Sequence, residues 1–334
     1  MDKKLVNAGF NERRFNTGRL KINYVRGPNN GLALVLIPGQ TASWENYEKV
    51  LIPLSKKFEV FVVDIRGHGK SDWATGDYSF KTIGADMSAF LKKVVKRPSI
   101  ISGNSSGGLI AIWLAANLPK NVLAIIGEDP PLFSAEWPRI KKEFVYYVLK
   151  SAVEIAVVLK DSRSVKELSE VLQKIEKPIK GKNTARKLSH WITYPLACII
   201  RLYQSKGKIK FISIPFIPKK FKQLIEVISN YDPDFSQAWV DGRIYQGLDH
   251  AKALKQVKCP MLLLHANWFR HPKYSLSGAM DNADVKHTLS LVPHCQYKRI
   301  DSEHVIHSDK PDEFVREIET FANQLRKELG INNS

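Results

Sequence analysis

The chain is poor in cysteine: Cys198, Cys259 and Cys295 are the three it has among 334 residues, widely spaced and without a Cys-x-x-Cys pair. An odd, scattered set excludes a disulfide framework and provides no zinc knuckle or redox motif, so the thiols read as small buried hydrophobes. Long apolar runs are missing too. Tyr194 to Tyr203 is short and interrupted by Arg201, well below the ~20 apolar residues that a membrane-crossing helix needs. Met1 to Phe15 mixes charged and apolar residues, which is not the pattern of a signal peptide. Reduced thiols and no visible signal make the expected location cytoplasmic. No dinucleotide fingerprint, phosphate loop or metal-ligand spacing is visible, so neither a cofactor nor a metal is expected.

Acidic residues are the other shortage, with 33 Asp and Glu against 51 Lys and Arg and a net charge of +18. The excess is concentrated: Leu132 to Lys222 holds 20 basic and 7 acidic residues, a net +13. The lysines there are spread through helix-like stretches with no recognition module, which argues against nucleic acid. A solvated surface, attraction of acidic substrates and weak docking on anionic lipid remain open. The last is favoured locally by Phe211 to Lys220, where apolar residues sit beside Lys219 and Lys220. Monomer and homodimer are equally compatible with the sequence.

Elsewhere the composition is that of a globular chain, 44% hydrophobic and 25% charged. Two alternating runs, Glu12 to Phe15 and Leu20 to Val25, flank Asn16-Thr17-Gly18 and read as an antiparallel hairpin. Four apolar runs read as buried parallel strands: Leu32 to Ile37, Phe58 to Val63, Ser99 to Ser102 and Val122 to Gly127. Helix-like stretches over Trp44 to Ser55, Thr82 to Val95 and Gly108 to Leu118 alternate with them. That rhythm predicts a doubly wound, mostly parallel α/β sheet with helices on both faces. After Pro131 it gives way to amphipathic helices interrupted at Pro178, Pro195, Pro215 and Pro218. It resumes with strands over Cys259 to His265 and Gln296 to Ile300 and a final helix over Asp312 to Leu325. The expected organisation is a core in two parts, residues 1–131 and 250–334, with a helical cap inserted at 132–249.

The chemistry-bearing motif is Gly103-Asn104-Ser105-Ser106-Gly107 between a short apolar strand and a helix-forming run. Gly-x-Ser-x-Gly in that context makes a sharp turn that exposes the serine hydroxyl. The helix that follows aims its N-terminal amides at the same point, so the backbone N–H of Ser106 is suited to receive oxyanion charge. A glycine-rich turn without function is the bland alternative for so short a motif.

Two further stretches carry a resemblance to the α/β-hydrolase superfamily, which covers most of the chain outside the cap. Asp64-Ile65-Arg66-Gly67-His68-Gly69-Lys70-Ser71-Asp72 resembles the loop after the preceding core strand in that family. Leu36-Ile37-Pro38-Gly39-Gln40 resembles its oxyanion loop, with Pro38 in place of the usual histidine. By this correspondence the amide of Gln40 is the second oxyanion donor. Asp301-Ser302-Glu303-His304 with Lys310-Pro311 looks like the family's histidine loop and makes His304 the base that activates Ser105. His307 then reads as a wall residue and His68 as structural.

The acid stays open. The family commonly places an Asp after the strand ending here in His265, but His265-Ala266-Asn267-Trp268-Phe269-Arg270-His271 has no carboxylate. In some branches, including certain lactonases, it comes instead from the tip of the strand after the nucleophile helix, a position that falls on Asp129. Glu128 is the alternative if that strand ends facing the other way. Asp281 and Asp284 are alternatives from the long loop after Arg270.

The resemblance implies a serine hydrolase acting on a small-molecule carboxylic ester or lactone through an acyl-enzyme. Carbon–carbon bond or thioester hydrolysis uses the same machinery. A non-catalytic ligand-binding or sensor protein of this fold is the alternative from another class. Trp137, Tyr146, Tyr147, Trp191 and Trp239 are aromatic candidates in the cap, read mainly as its core.

Overall fold

The computed structural model describes residues 1–205, 208–209 and 229–330. The stretch Phe211 to Lys220, with Pro215 and Pro218, lies outside the described residues. Eight strands form one sheet: β1 (Asn11–Asn16), β2 (Lys21–Arg26), β3 (Leu32–Ile37), β4 (Phe58–Val63), β5 (Ser99–Asn104), β6 (Val122–Glu128), β7 (Met261–His265) and β8 (Cys295–Arg299). Their spatial order is β1-β2-β4-β3-β5-β6-β7-β8. β1 and β2 form the antiparallel hairpin and β2 runs antiparallel to β4; every later pair is parallel.

The inner strands read as unbroken apolar runs because both faces of the sheet are covered. Ala33, Val35, Ile37, Phe61, Val63, Ile101, Ile125 and Leu263 pack into one core. Their neighbours Leu34, Leu36, Val60, Val62, Ile100, Ile126 and Leu264 pack into a second. Between the strands run α1 (Glu48–Ser55), α2 (Phe80–Phe90) and α3 (Ser106–Asn117). Between β6 and β7 the chain leaves the sheet to form α4 (Phe144–Asp161), α5 (Val165–Gln173), α6 (His190–Tyr203), α7 (Pro233–Asp241) and α8 (His250–Gln256). After β7 come α9 (Asn282–Leu291) and α10 (Pro311–Glu328). Helices α2, α3 and α8 cover the first face, and α1 with α10 covers the second.

Helices α4, α5 and α6 share a small core of their own, built on Ile155, Leu159, Leu168, Leu172, Leu196 and Ile200. This packing corrects the expected break at Pro195, which lies inside α6. Proline removes one helical hydrogen bond, and the burial of Leu196, Ala197 and Ile200 offsets that loss. The outer side of α6 differs from expectation as well, since Trp191 is 88% exposed and Cys198 is exposed rather than core. Likewise the predicted helix to Val95 ends at Phe90 and closes in a wide π-type turn, capped by left-handed Lys96. No helix among the described residues is long and apolar enough to cross a membrane.

The loop after β4 ties the sheet to the site. Buried Asp64 accepts from the amide of Trp44 at 2.7 Å, the amide of Lys70 at 3.0 Å and Asn23 Nδ2 at 2.8 Å. It thereby fixes the far end of the loop that begins at Pro38. Gly69 is required there, because a β-carbon would lie 2.3 Å from the Asp64 carboxylate. Burial pushes the Asp64 carboxyl up to about 7, against the lowering effect of its three donors. Buried Arg66 closes the other side with Asp86 at 2.5 Å and Asp77 at 2.8 Å.

Candidate active site

Ser105 sits between the end of β5 and the start of α3 with φ 53° and ψ −123°. A left-handed φ at a residue with a side chain is strained, and the surroundings impose it. A β-carbon on Gly103 would stand 2.1 Å from the carbonyl oxygen of Gly107, and one on Gly107 would stand 2.2 Å from that of Ile37. Only glycine allows the helix to approach the strands this closely. The Ser105 amide donates to the carbonyl of Glu128 at 2.8 Å, which binds the elbow to β6.

The Pro38 loop lies directly over this elbow: a β-carbon on Gly39 would come within 3.1 Å of Ser105 Cβ. Ser106 opens α3, so its amide has no intrahelical acceptor. The Gln40 side chain turns away from the elbow. Its Nε2 donates to Tyr231 Oη at 2.7 Å and to Ser236 Oγ at 3.1 Å, fastening the loop to α7 and its approach.

His304 lies beyond β8 and faces the same space. Its Nδ1–H donates to Asp129 Oδ2 at 2.7 Å, which leaves Nε2 as the basic nitrogen. Asp129 is 1% exposed and also left-handed, at φ 46°. Its Oδ1 accepts from the Ala266 amide at 3.2 Å, and its own amide donates to the Leu264 carbonyl at 2.8 Å. The end of β7 thus contributes a backbone donor where a carboxylate was sought. Burial disfavours the charged imidazole of His304. The hydrogen bond and charge of Asp129, with the charge of Glu128 behind, outweigh it and raise the His304 pKa above the ordinary value.

The other candidate acids are engaged elsewhere. Glu128 turns to the opposite side and grips His307: its carboxylate accepts from the His307 amide at 2.9 Å and from Nδ1 at 2.8 Å. Asp281 caps α9 through the amides of Ala283 and Asp284 and pairs with Arg270. Asp284 pairs with Arg139 at 2.5 Å. Among the described residues, Asp129 is the carboxylate hydrogen-bonded to His304. His68 is buried against Tyr231 and Phe235, and burial drives its pKa down to about 4. Of the aromatic candidates between β6 and β7, Trp239 is buried against Phe80 and reaches the cavity, whereas Trp137 and Tyr147 are exposed.

Gln40, Ser105, Ser106 and His304 open onto a single large cleft of about 1720 Å³. Residues 33–156, which include most of β3, all of β4 to β6 and the Ser105 elbow, match a sequence model of the family described as alpha/beta hydrolase fold. The chain has the α/β-hydrolase fold, and its first core half is similar in sequence to that superfamily.

The chain is 29% identical over 120 residues to 2-(acetamidomethylene)succinate hydrolase from Mesorhizobium japonicum, covering 36% of this chain and 43% of that protein. It is 30% identical over 114 residues to N-formylmaleamate deformylase from Pseudomonas putida, covering 34% of this chain and 42% of that protein. The matched stretches therefore span less than half of either relative. The fold extends further than the sequence likeness: a carboxylesterase from Bacillus subtilis superposes with a TM-score of 0.63 at 15% identity, covering 96% of this chain and 93% of that one.

Two features of this α/β-hydrolase fold escaped the sequence reading. One is the Glu128–His307 pair, both partners at most 1% exposed, with Tyr47 stacked on the imidazole at 3.8 Å. The other is Asn104, whose Nδ2 donates to the carbonyl of His304 at 3.3 Å and so joins the nucleophile strand to the histidine loop. Adjacent carboxylates at 128–129 and two histidines three apart at 304 and 307 are a visible signal for the first. Nothing in the sequence distinguishes Asn104 from any other residue before a motif serine.

Proposed function

We propose that the protein is a serine hydrolase that cleaves a carboxylic ester or lactone through an acyl-enzyme on Ser105. The observation that carries this reading is the 2.7 Å bond from His304 to buried Asp129 at the cleft onto which strained Ser105 opens. Ser105 Oγ attacks the carbonyl carbon while His304 Nε2 takes its proton, and Asp129 stabilises the imidazolium. The amides of Gln40 and Ser106 receive the negative oxygen. His304 then protonates the departing alkoxide, and a water activated by the same imidazole releases the acid and restores Ser105.

The region over residues 132–249 acts in this reading as the cap that shapes the cleft, because Phe144, Val148 and Trp239 belong to its wall. A second reading, hydrolysis of an amide rather than an ester, is favoured by the names of the two sequence relatives. A panel of chromogenic esters, lactones and anilides, run beside Ser105→Ala, tests both. Turnover that the variant lacks supports the serine mechanism, and the preferred leaving group chooses between the readings. A binding or sensor protein would turn over none of them.

A further inference from the structure

We propose that the cleft contains an anion subsite made by Lys177 and Arg186, with Lys180 beside them, and that the substrate carries a carboxylate or phosphate group. The word substrate rests on the reading of Ser105 given above; the subsite itself does not.

Two short strands, Glu176–Pro178 and Ala185–Lys187, pair antiparallel with Glu176 opposite Lys187 and Lys177 opposite Arg186. Side chains alternate along a strand, so these two cross-strand pairs occupy opposite faces. The first face is neutralised: Lys187 and Lys273 each bring Nζ to 2.9 Å from the Glu176 carboxylate, and the hydroxyl of Tyr274 contacts it too. The second face carries two cations directly opposite one another, an arrangement that costs stability.

Lys177, Lys180 and Arg186 all line the cleft that holds Ser105. None of them has an ion-pair partner among the described residues. Of the acids that line the cleft, Glu45, Glu48, Glu143 and Glu303, Glu143 is committed to the Leu276 amide at 2.7 Å and to Arg139 at 3.0 Å. Much of the remaining wall is apolar, including Phe144, Val148, Trp268 and Phe269; Lys177, Lys180 and Arg186 are themselves exposed, so their attraction for an anion is screened by salt. An arginine fork beside two lysines suits the oxygens of a carboxylate or phosphate. A bound anion would relieve the repulsion between the facing cations.

The test compares p-nitrophenyl hydrogen glutarate with p-nitrophenyl valerate, acyl groups of equal length with and without a terminal carboxylate. The expected result is a kcat/KM ratio of at least about ten in favour of the anionic ester, falling with added NaCl. That ratio collapses towards one in the Lys177→Ala/Arg186→Ala double variant and is kept in Lys177→Arg/Arg186→Lys. Inhibition of the neutral ester by glutarate and by inorganic phosphate identifies which anion is preferred. If neither ester is turned over, calorimetric titration of wild type and the alanine variant with glutarate and phosphate still decides: weakening of at least about ten-fold supports the subsite. A wild-type ratio at or below one with no phosphate inhibition, or binding that the alanine substitutions leave unchanged, overturns it.

Discussion

Glu128 and Asp129 are consecutive in the chain yet hold two different histidines of one loop, Glu128 gripping His307 and Asp129 gripping His304. The end of β6 thereby acts as a two-pronged clamp. One carboxylate takes the ring that faces the cleft, and the other takes a buried ring and its backbone amide. Position and protonation of His304 are both set from this strand end.

The two prongs predict separable effects. Glu128→Gln keeps an acceptor for the His307 amide but loses the charge, so stability should fall by about 1–3 kcal/mol in urea unfolding. Glu128 also raises the His304 pKa, so the acid limb of the rate profile should move to lower pH.

Asp129→Asn should leave the fold intact and cut kcat by roughly 10³–10⁴, because the amide favours the wrong imidazole tautomer. Asp281→Ala should keep near-normal turnover and lose the α9 cap, costing about 1 kcal/mol. Steady-state kinetics and thermal melts on the two variants separate these roles.

The charge of Asp129 sets the direction of the pH dependence. In the proposed mechanism His304 must be neutral to accept the serine proton, and its pKa is raised, so kcat/KM should climb with pH through a midpoint above 6.5, the ordinary histidine value. A profile flat down to pH 5 would mean that another group serves as base.

Two buried histidines away from the reaction govern acid stability. His68 and His250 both have pKa values driven by burial down to about 4, and His250 Nδ1 accepts from the Phe133 amide at 3.0 Å, which requires the neutral ring. Unfolding returns each to about 6.5, so each contributes stability that is present above 6.5 and lost as pH falls towards 4, by roughly 3 kcal/mol. Asp64, raised to about 7, acts in the opposite sense, so the measurement is the difference between wild type and His250→Gln in urea at pH 7 and pH 4.5. That difference should shrink on acidification.

Much of this architecture was legible in the residues because the strands and the elbow obey local rules. Leu32–Ile37 and Phe58–Val63 are the observed strands to the residue, since burial on both faces leaves an uninterrupted apolar run. Gly103 and Gly107 could be read because close backbone approach has one solution. What the sequence hid was long-range. Whether Asp129, Glu128 or Asp281 meets His304 depends on which way a strand end twists and which loop closes over it. Asp129 lies 175 residues from its histidine, and no local pattern encodes that approach. The outward face of α6 was misjudged for a related reason: apolar residues at helical spacing mark a packed helix but not which of its sides is covered.

The most direct test of the central claim, an activated serine at the elbow, is labelling with a fluorophosphonate followed by intact-mass and peptide analysis. The account predicts one adduct per chain, on Ser105, absent in Ser105→Ala and slowed by orders of magnitude in His304→Ala. An unlabelled wild-type protein, or an adduct on any other residue, would contradict it.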